Sequence, residues 1–227
     1  MEFRRSLALS PAYPTANHWY AEYLLTMGRH VEAIARTKKS QELDPLSLII
    51  SVAIGWALYM NRRNDDAIEE LRRTVELDPN FPISYWILGL VFRKMARFEL
   101  AIAEGEKGVT FSGDSPLLRA GLAQTFGTAR RREEAIKILD DLTKQAKQKY
   151  VPSYFFAGIH IGLGEDDRAI EYLEKSYEEH SHWLIYLHLD PSMDPLRSNS
   201  LFQALLWRIG LPSRKDATAE HPNCNSE

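Results

Sequence analysis

The side chains best suited to chemistry lie late in the chain: His180, His182 and His188, with Asp190 and Asp194 close behind. Imidazoles and carboxylates are metal ligands, and the segment is short enough to gather them. Their spacing fits no closed tetrahedral motif, however, and histidines at helix ends commonly act as polar caps, so no metal is expected. A second candidate, Gly162-Leu163-Gly164-Glu165, lacks the preceding strand and the following Lys-Ser/Thr of a phosphate-cradling loop. Neither a Gly-x-Ser-x-Gly elbow nor a His-Glu-x-x-His pair occurs. The basic run Arg130-Arg131-Arg132, with Lys137, Lys144, Lys147 and Lys149, could hold an anionic partner. Glu133, Glu134, Asp140 and Asp141 interleave with it, as on a solvated face. These residues point away from an enzyme, and no cofactor is expected.

Composition narrows the classes further. The 227 residues carry 28 Lys plus Arg against 31 Asp plus Glu, a net charge of −3 that argues against a dedicated nucleic-acid binder. The single cysteine, Cys224, excludes an intramolecular disulfide framework and a thiolate zinc site. The longest uncharged run, Pro45 to Asn61, is too short for an ordinary transmembrane helix of roughly 20 residues. The opening MEFRRSLALSPAYP has no secretory-signal pattern. A soluble cytoplasmic protein is the expectation. With 44% hydrophobic residues, it has ample material for a packed core.

The elements that must position any functional residue follow a strict interval. Ala-Ile pairs at 33–34, 67–68, 101–102, 135–136 and 169–170 recur every 34 residues. Twelve residues before each alanine stands another small residue: Ala21, Gly55, Gly89, Ala123 and Ala157. Apolar residues within a unit recur three and four apart, as in Ile83, Trp86, Ile87 and Leu90, which is the helical period. Breakers at Met27-Gly28-Arg29, Asn61 to Asn64, Gly127-Thr128 and Gly162 to Gly164 split each unit into two helices. Antiparallel helices approach closely only where side chains are small, so the Gly/Ala and Ala positions predict the seam. Asp44-Pro45 and Asp78-Pro79 predict helix ends, because proline pushes its predecessor out of helical geometry. Gly113 predicts a left-handed stop in the third unit, and the fourth unit's second helix is expected to run long, towards Tyr150.

This pattern resembles the tetratricopeptide repeat. The resemblance covers about residues 14–181 and implies an all-α, right-handed superhelical solenoid of antiparallel helix pairs with a C-terminal capping helix. The family's first-helix tryptophan is replaced by Asn17, Ser51, Tyr85, Arg119 and Ser153. His160 stands where Leu24, Leu58, Phe92 and Phe126 stand in other units, which suggests a polar contact there. Residues 1–13 read as a half repeat, its second helix only, from a longer protein or one with a mis-set start, or alternatively as a plain cap helix. Residues 14–181 form five tandem repeats, 182–212 a capping unit and 213–227 a polar tail expected to be disordered. In the capping unit a short helix near 182–188, Asp-Pro turns at 190–191 and 194–195, and a helix over about 199–209 are expected. Terminal units of solenoids are atypical because they cover the last open face. The sequence of this one resembles the ends of arrays in bacterial signalling proteins that also carry winged-helix, serine/threonine kinase or cyclase domains.

In the family, first helices line a concave groove that grips peptides or partner domains. The positions that the resemblance assigns to it include Trp19, Glu22, Val52, Trp56, Tyr59, Trp86, Leu90, Arg93, Gln124, Tyr154 and Phe155. The family's carboxylate clamp of Lys/Arg and Asn is absent, with only Arg93 and Lys94 present. The groove is aromatic and aliphatic, and its rings could anchor an apolar peptide, pack between repeats, or dock a neighbouring domain. The resemblance implies a non-catalytic scaffold or sensor module binding a protein or peptide. Alternatively, the chain is the regulatory part of a larger bacterial signalling enzyme or transcription regulator. Nucleic acid, membrane and small-molecule ligands are not expected.

Overall fold

A computed structural model describes residues 2–211. Twelve α-helices and two 3₁₀ segments follow one another, with no strand among the described residues. Helix α1 (Glu2–Leu9) precedes five antiparallel pairs. These are α2 (Pro14–Thr26) with α3 (His30–Leu43), α4 (Leu48–Met60) with α5 (Asn64–Leu77), and α6 (Pro82–Lys94) with α7 (Phe98–Phe111). Then come α8 (Pro116–Thr128) with α9 (Arg132–Ala146) and α10 (Ser153–Leu163) with α11 (Asp166–Glu178). The pairs stack in order, so the first helices α2, α4, α6, α8 and α10 form an inner row.

The small-residue seam lies where the spacing puts it. Ala33, Ala67, Ala101, Ala135 and Ala169 are all 0% exposed. Their first-helix counterparts are buried too, and at two of them an added methyl would press on the partner helix. A Cβ on Gly55 would stand 2.6 Å from the Leu71 side chain, and one on Gly89 would stand 3.2 Å from the Ala101 carbonyl. Helix starts follow local chemistry. Pro14, Pro82 and Pro116 occupy the first turn, where a missing N–H costs no bond, and the Ser47 hydroxyl accepts the Ile50 amide.

The turn inside each pair repeats a left-handed residue at the same interval: Gly28, Arg62, Ala96, Arg130 and Gly164, with φ of 73°, 61°, 57°, 63° and 73°. Three of the five carry a Cβ in a region that costs L-residues roughly 1–2 kcal/mol. The third unit does stop at a left-handed Gly113, followed by a left-handed Asp114. Helix α9 is longer than its counterparts but ends at Ala146, short of Tyr150. Lys147 closes it, and a turn through 147–149 leads into extended backbone before Pro152, which cannot continue a helix.

The polar departures from the repeat pattern have local roles. Asn17 is fully buried and donates to the Pro11 and Tyr13 carbonyls at 3.1 and 3.0 Å. Tyr85 Oη donates to the Pro79 carbonyl at 2.6 Å, and Ser153 Oγ donates to Glu179. These side chains tie the start of a first helix to an adjoining turn or helix end. His160 Nδ1 lies 2.8 Å from Glu165 Oε2, and its ring stacks on Tyr172, so the polar contact expected there is present.

The closing unit behaves differently. Residues His182–Tyr186 and Pro191–Leu196 form two 3₁₀ segments rather than a helix and two separate turns. The Asp190 side chain accepts the Ser192 amide at 2.8 Å and starts the second. Pro195 sits inside that segment, where an α-helix would have needed its N–H. Helix α12 (Ser200–Ile209) begins at Asn199, whose Oδ1 accepts the Leu201 and Phe202 amides, and stops at left-handed Gly210. Phe202, Leu205 and Leu206 bury against the last pair. The polar tail 213–227 and Cys224 lie outside the described residues.

Candidate functional site

The inner row brings the groove residues together, but the chain's own closing segment lies on them. Residues 182–197 double back across the concave side between α4 and α10. Trp183 inserts among the inner-row aromatics: edge-on to Trp86 at 6.2 Å, stacked with Tyr154 at 6.1 Å, and edge-on to Phe155 at 5.6 Å. Tyr186 stands edge-on to Trp56 at 5.5 Å and donates its hydroxyl to Glu22 Oε2 at 2.8 Å. Trp56 and Trp86 stack on one another at 5.4 Å. Leu187, Met193 and Leu196 are buried beneath this layer.

Polar contacts fix the segment in place. Tyr154 Oη donates to Asp190 Oδ2 at 2.9 Å. Ser192 Oγ accepts Arg93 Nη2 at 2.7 Å and pairs with Tyr59 Oη at 3.2 Å. Asp194 takes a two-pronged contact from Arg62, at 2.6 and 2.7 Å, with Lys94 Nζ on Oδ2 and Arg197 Nε at 2.8 Å on Oδ1. Arg197 also donates to the His188 and Asp190 carbonyls. A planar guanidinium suits such paired acceptance better than an ammonium.

Protonation follows from these surroundings. Burial works against the charge on Asp194, yet the bonds from Arg62, Lys94 and Arg197 hold it well below the usual carboxylate range. Burial pushes Tyr59, Tyr154 and Tyr186 up, with Asp190 adding to the first two and Glu22 to the third. All three therefore stay neutral hydroxyls, and Tyr154 and Tyr186 donate to their carboxylates. Burial raises Glu22 and lowers Arg93. His188 is lowered to about 4, first by burial and then by the positive charges of Arg197 and His30.

The eleven groove positions thus fall into three groups. Glu22, Trp56, Tyr59, Trp86, Arg93, Tyr154 and Phe155 touch residues 182–197. Val52, Leu90 and Gln124 are buried in or beside the inner row. Trp19 alone stands open, 56% exposed, with His18 edge-on at its side. Sequence reasoning missed the segment that meets this face and its anchors Trp183, Tyr186, Asp190, Ser192 and Asp194, along with Arg62. One signal was available: Arg93 and Lys94 have no acidic residue on their own or an adjacent first helix, while the closing unit carries two acidic Asp-Pro pairs.

The other candidate constellations are engaged structurally. Asp190 and Asp194 are bound to protein donors, and no group of three or more His, Cys, Asp or Glu is disposed to hold a metal ion among the described residues. Arg131 pairs with Glu134 and lies over Phe126, and Arg132 pairs with Glu165 at 2.5 Å. No helix among the described residues is long and apolar enough to cross a membrane.

Comparison with known proteins agrees with the 34-residue geometry. Residues 52–116 match the family model described as tetratricopeptide repeat. This is a tetratricopeptide-repeat fold. Among solved structures, the array is similar to TTC0263, a thermophilic repeat protein of Thermus thermophilus. That likeness has a TM-score of 0.61 and 20% identity, over 76% of this chain and 87% of that one. It is similar also to a chain of the APC/C hetero-tetramer Cut9–Hcn1, with a TM-score of 0.65 and 17% identity over 91% of this chain and 44% of that one. YrrB, a tetratricopeptide protein with an unusual peptide-binding site, gives a TM-score of 0.50 and 16% identity over 82% of this chain and 96% of that one. No curated protein matches the sequence. At these identities the likeness concerns the fold.

Proposed function

We propose that the protein is a non-catalytic protein-interaction scaffold whose concave side holds polypeptide. The observation that carries this reading is the engagement of residues 182–197. Side chains from α2, α4, α6 and α10, and Arg62 in the turn after α4, grip a non-α-helical segment by aromatic insertion, hydrogen bonding and ion pairing. This is peptide recognition performed within one chain. Tetratricopeptide arrays generally serve as interaction scaffolds, and the peptide-binding site named for YrrB lends further support. The part left open for a partner in trans is the N-terminal end of the inner row, where Trp19 and Ile49 are exposed. Exposed tryptophan at such a position is a typical hot spot. The closing-unit sequence carries a second reading, in which the array is the regulatory module of a larger bacterial signalling protein working in the cytoplasm.

The test compares Trp19→Ala with Trp207→Ala, a still more exposed tryptophan on α12, outside the inner row. Quantitative pull-down from the source cells should lose its enriched proteins with Trp19→Ala alone, at unchanged melting temperature. Equal retention in both variants would remove the inner-row surface from the reading.

A further inference from the structure

The inner row holds one acidic group without a counter-charge among the described residues. Glu22 is the only acidic side chain on the five first helices. Its Oε2 accepts the Tyr186 hydroxyl at 2.8 Å, and no described cation pairs with it. Its Oε1 has no protein partner there and is reached by solvent. Burial acts on Glu22 and Asp194 alike, with opposite outcomes. The bonds from Arg62, Lys94 and Arg197 pull Asp194 well below the usual carboxylate range, whereas Glu22, relieved by Tyr186 alone, is raised. A partly buried carboxylate in this state keeps a desolvation cost that an arriving cation would offset.

The neighbours of Glu22 select the cation. Trp19 lies three residues earlier on α2, a spacing that sets the two side chains next to each other, and it is 56% exposed. His18, edge-on to Trp19, is lowered by burial and carries no charge at neutral pH. An open indole face beside an unpaired carboxylate oxygen suits a guanidinium, which stacks flat on the ring while its N–H fork meets the oxygen. A lysine ammonium is more strongly hydrated and has no flat face. Exposed Ile49, at the start of α4, offers an apolar contact to a flanking residue. We propose that the open N-terminal end of the inner row receives an arginine of a partner polypeptide, its guanidinium stacked on Trp19 and donating to Glu22 Oε1. The proposal rests on the reading of that end as a partner surface and adds the chemistry of what it takes.

The probe is acetyl-Leu-Arg-Leu-amide, titrated into the intact protein and followed by ligand-observed NMR, with citrulline replacing arginine as the uncharged planar counterpart. The arginine peptide should bind saturably and about fivefold tighter than the citrulline peptide, since charge-assisted hydrogen bonds are roughly twice as strong as neutral ones. Glu22→Gln keeps an oxygen for the Tyr186 hydroxyl, so the fold should hold while the two peptides bind alike. Trp19→Leu, at an exposed position, should weaken the arginine peptide at unchanged melting temperature, and it serves should Glu22→Gln not fold. Equal affinity for the two peptides, lost with Trp19→Leu, would overturn the arginine and leave the surface standing. Absence of saturable binding, a preference for arginine that survives in folded Glu22→Gln, or undiminished affinity in Trp19→Leu would overturn the proposal. Retention of partners by Trp19→Ala in the pull-down would remove the surface itself, and the proposal with it.

Discussion

Replacing Asp194 with asparagine should loosen the closing segment from the concave face. The carboxylate takes hydrogen bonds from three cations at once: Arg62 through two nitrogens, Lys94, and Arg197. Its side chain is 23% exposed, so solvent screens the network only in part. Removing one member of a fully buried ion pair costs about 3–5 kcal/mol because the survivors are left uncompensated. Partial exposure, and the oxygen an asparagine retains, bring the expected loss to about 3 kcal/mol. For a chain of this size that corresponds to roughly 6–12 °C in melting temperature. Guanidinium denaturation gives the stability. Tryptophan fluorescence reports the segment, since Trp183 leaves an aromatic nest for water when it undocks. Arg73→Ala on α5, which breaks an exposed pair with Glu69 and a partly buried one with Glu70, is the control and should cost about 1 kcal/mol or less. A loss below about 1 kcal/mol for Asp194→Asn, or one with unchanged emission, would refute the anchoring role.

Ala101→Leu should overpack the seam and cost about 1–3 kcal/mol, while Ala103→Leu on the exposed side should be nearly neutral; equal effects in denaturation would mean the packing phase is misassigned. Ala96→Gly removes a Cβ from a left-handed turn and should raise stability by roughly 0.5 kcal/mol, a relief of ~1–2 less the ~0.5–1 of added chain entropy. His188 titrates near 6.5 when unfolded and near 4 when folded, so the unfolded chain takes up the proton first. Its contribution is complete above pH 6.5 and declines as pH falls towards 4, about 1.4 kcal/mol per unit within that window and on the order of 3 kcal/mol in all. Melting curves from pH 7 to 4.5 should show this slope, and His188→Phe should flatten it.

The repeat architecture was legible because each unit meets only its neighbours. A seam alanine needs a small partner twelve residues earlier and the same arrangement 34 residues on, so packing writes itself into the sequence as an interval. The polar substitutions were legible for the same reason: Asn17 bonds to Pro11 and Tyr13, and His160 to Glu165, within six residues. Part of the inner-row list meets across successive first helices, as Trp56 and Trp86 do by stacking.

What covers that surface was decided only in three dimensions. Arg93 meets Ser192 across 99 positions, and Tyr186 meets Glu22 across 164. These contacts occur once, between a periodic array and a segment without periodicity, so no recurrence marks them. Two lone cations and two Asp-Pro pairs carried the charge balance but not the direction of the fold-back. Glu22 likewise shows its missing counter-charge only once Tyr186 has docked beside it. A string of residues encodes which faces are apolar; which of them the chain itself covers depends on how the whole superhelix curves.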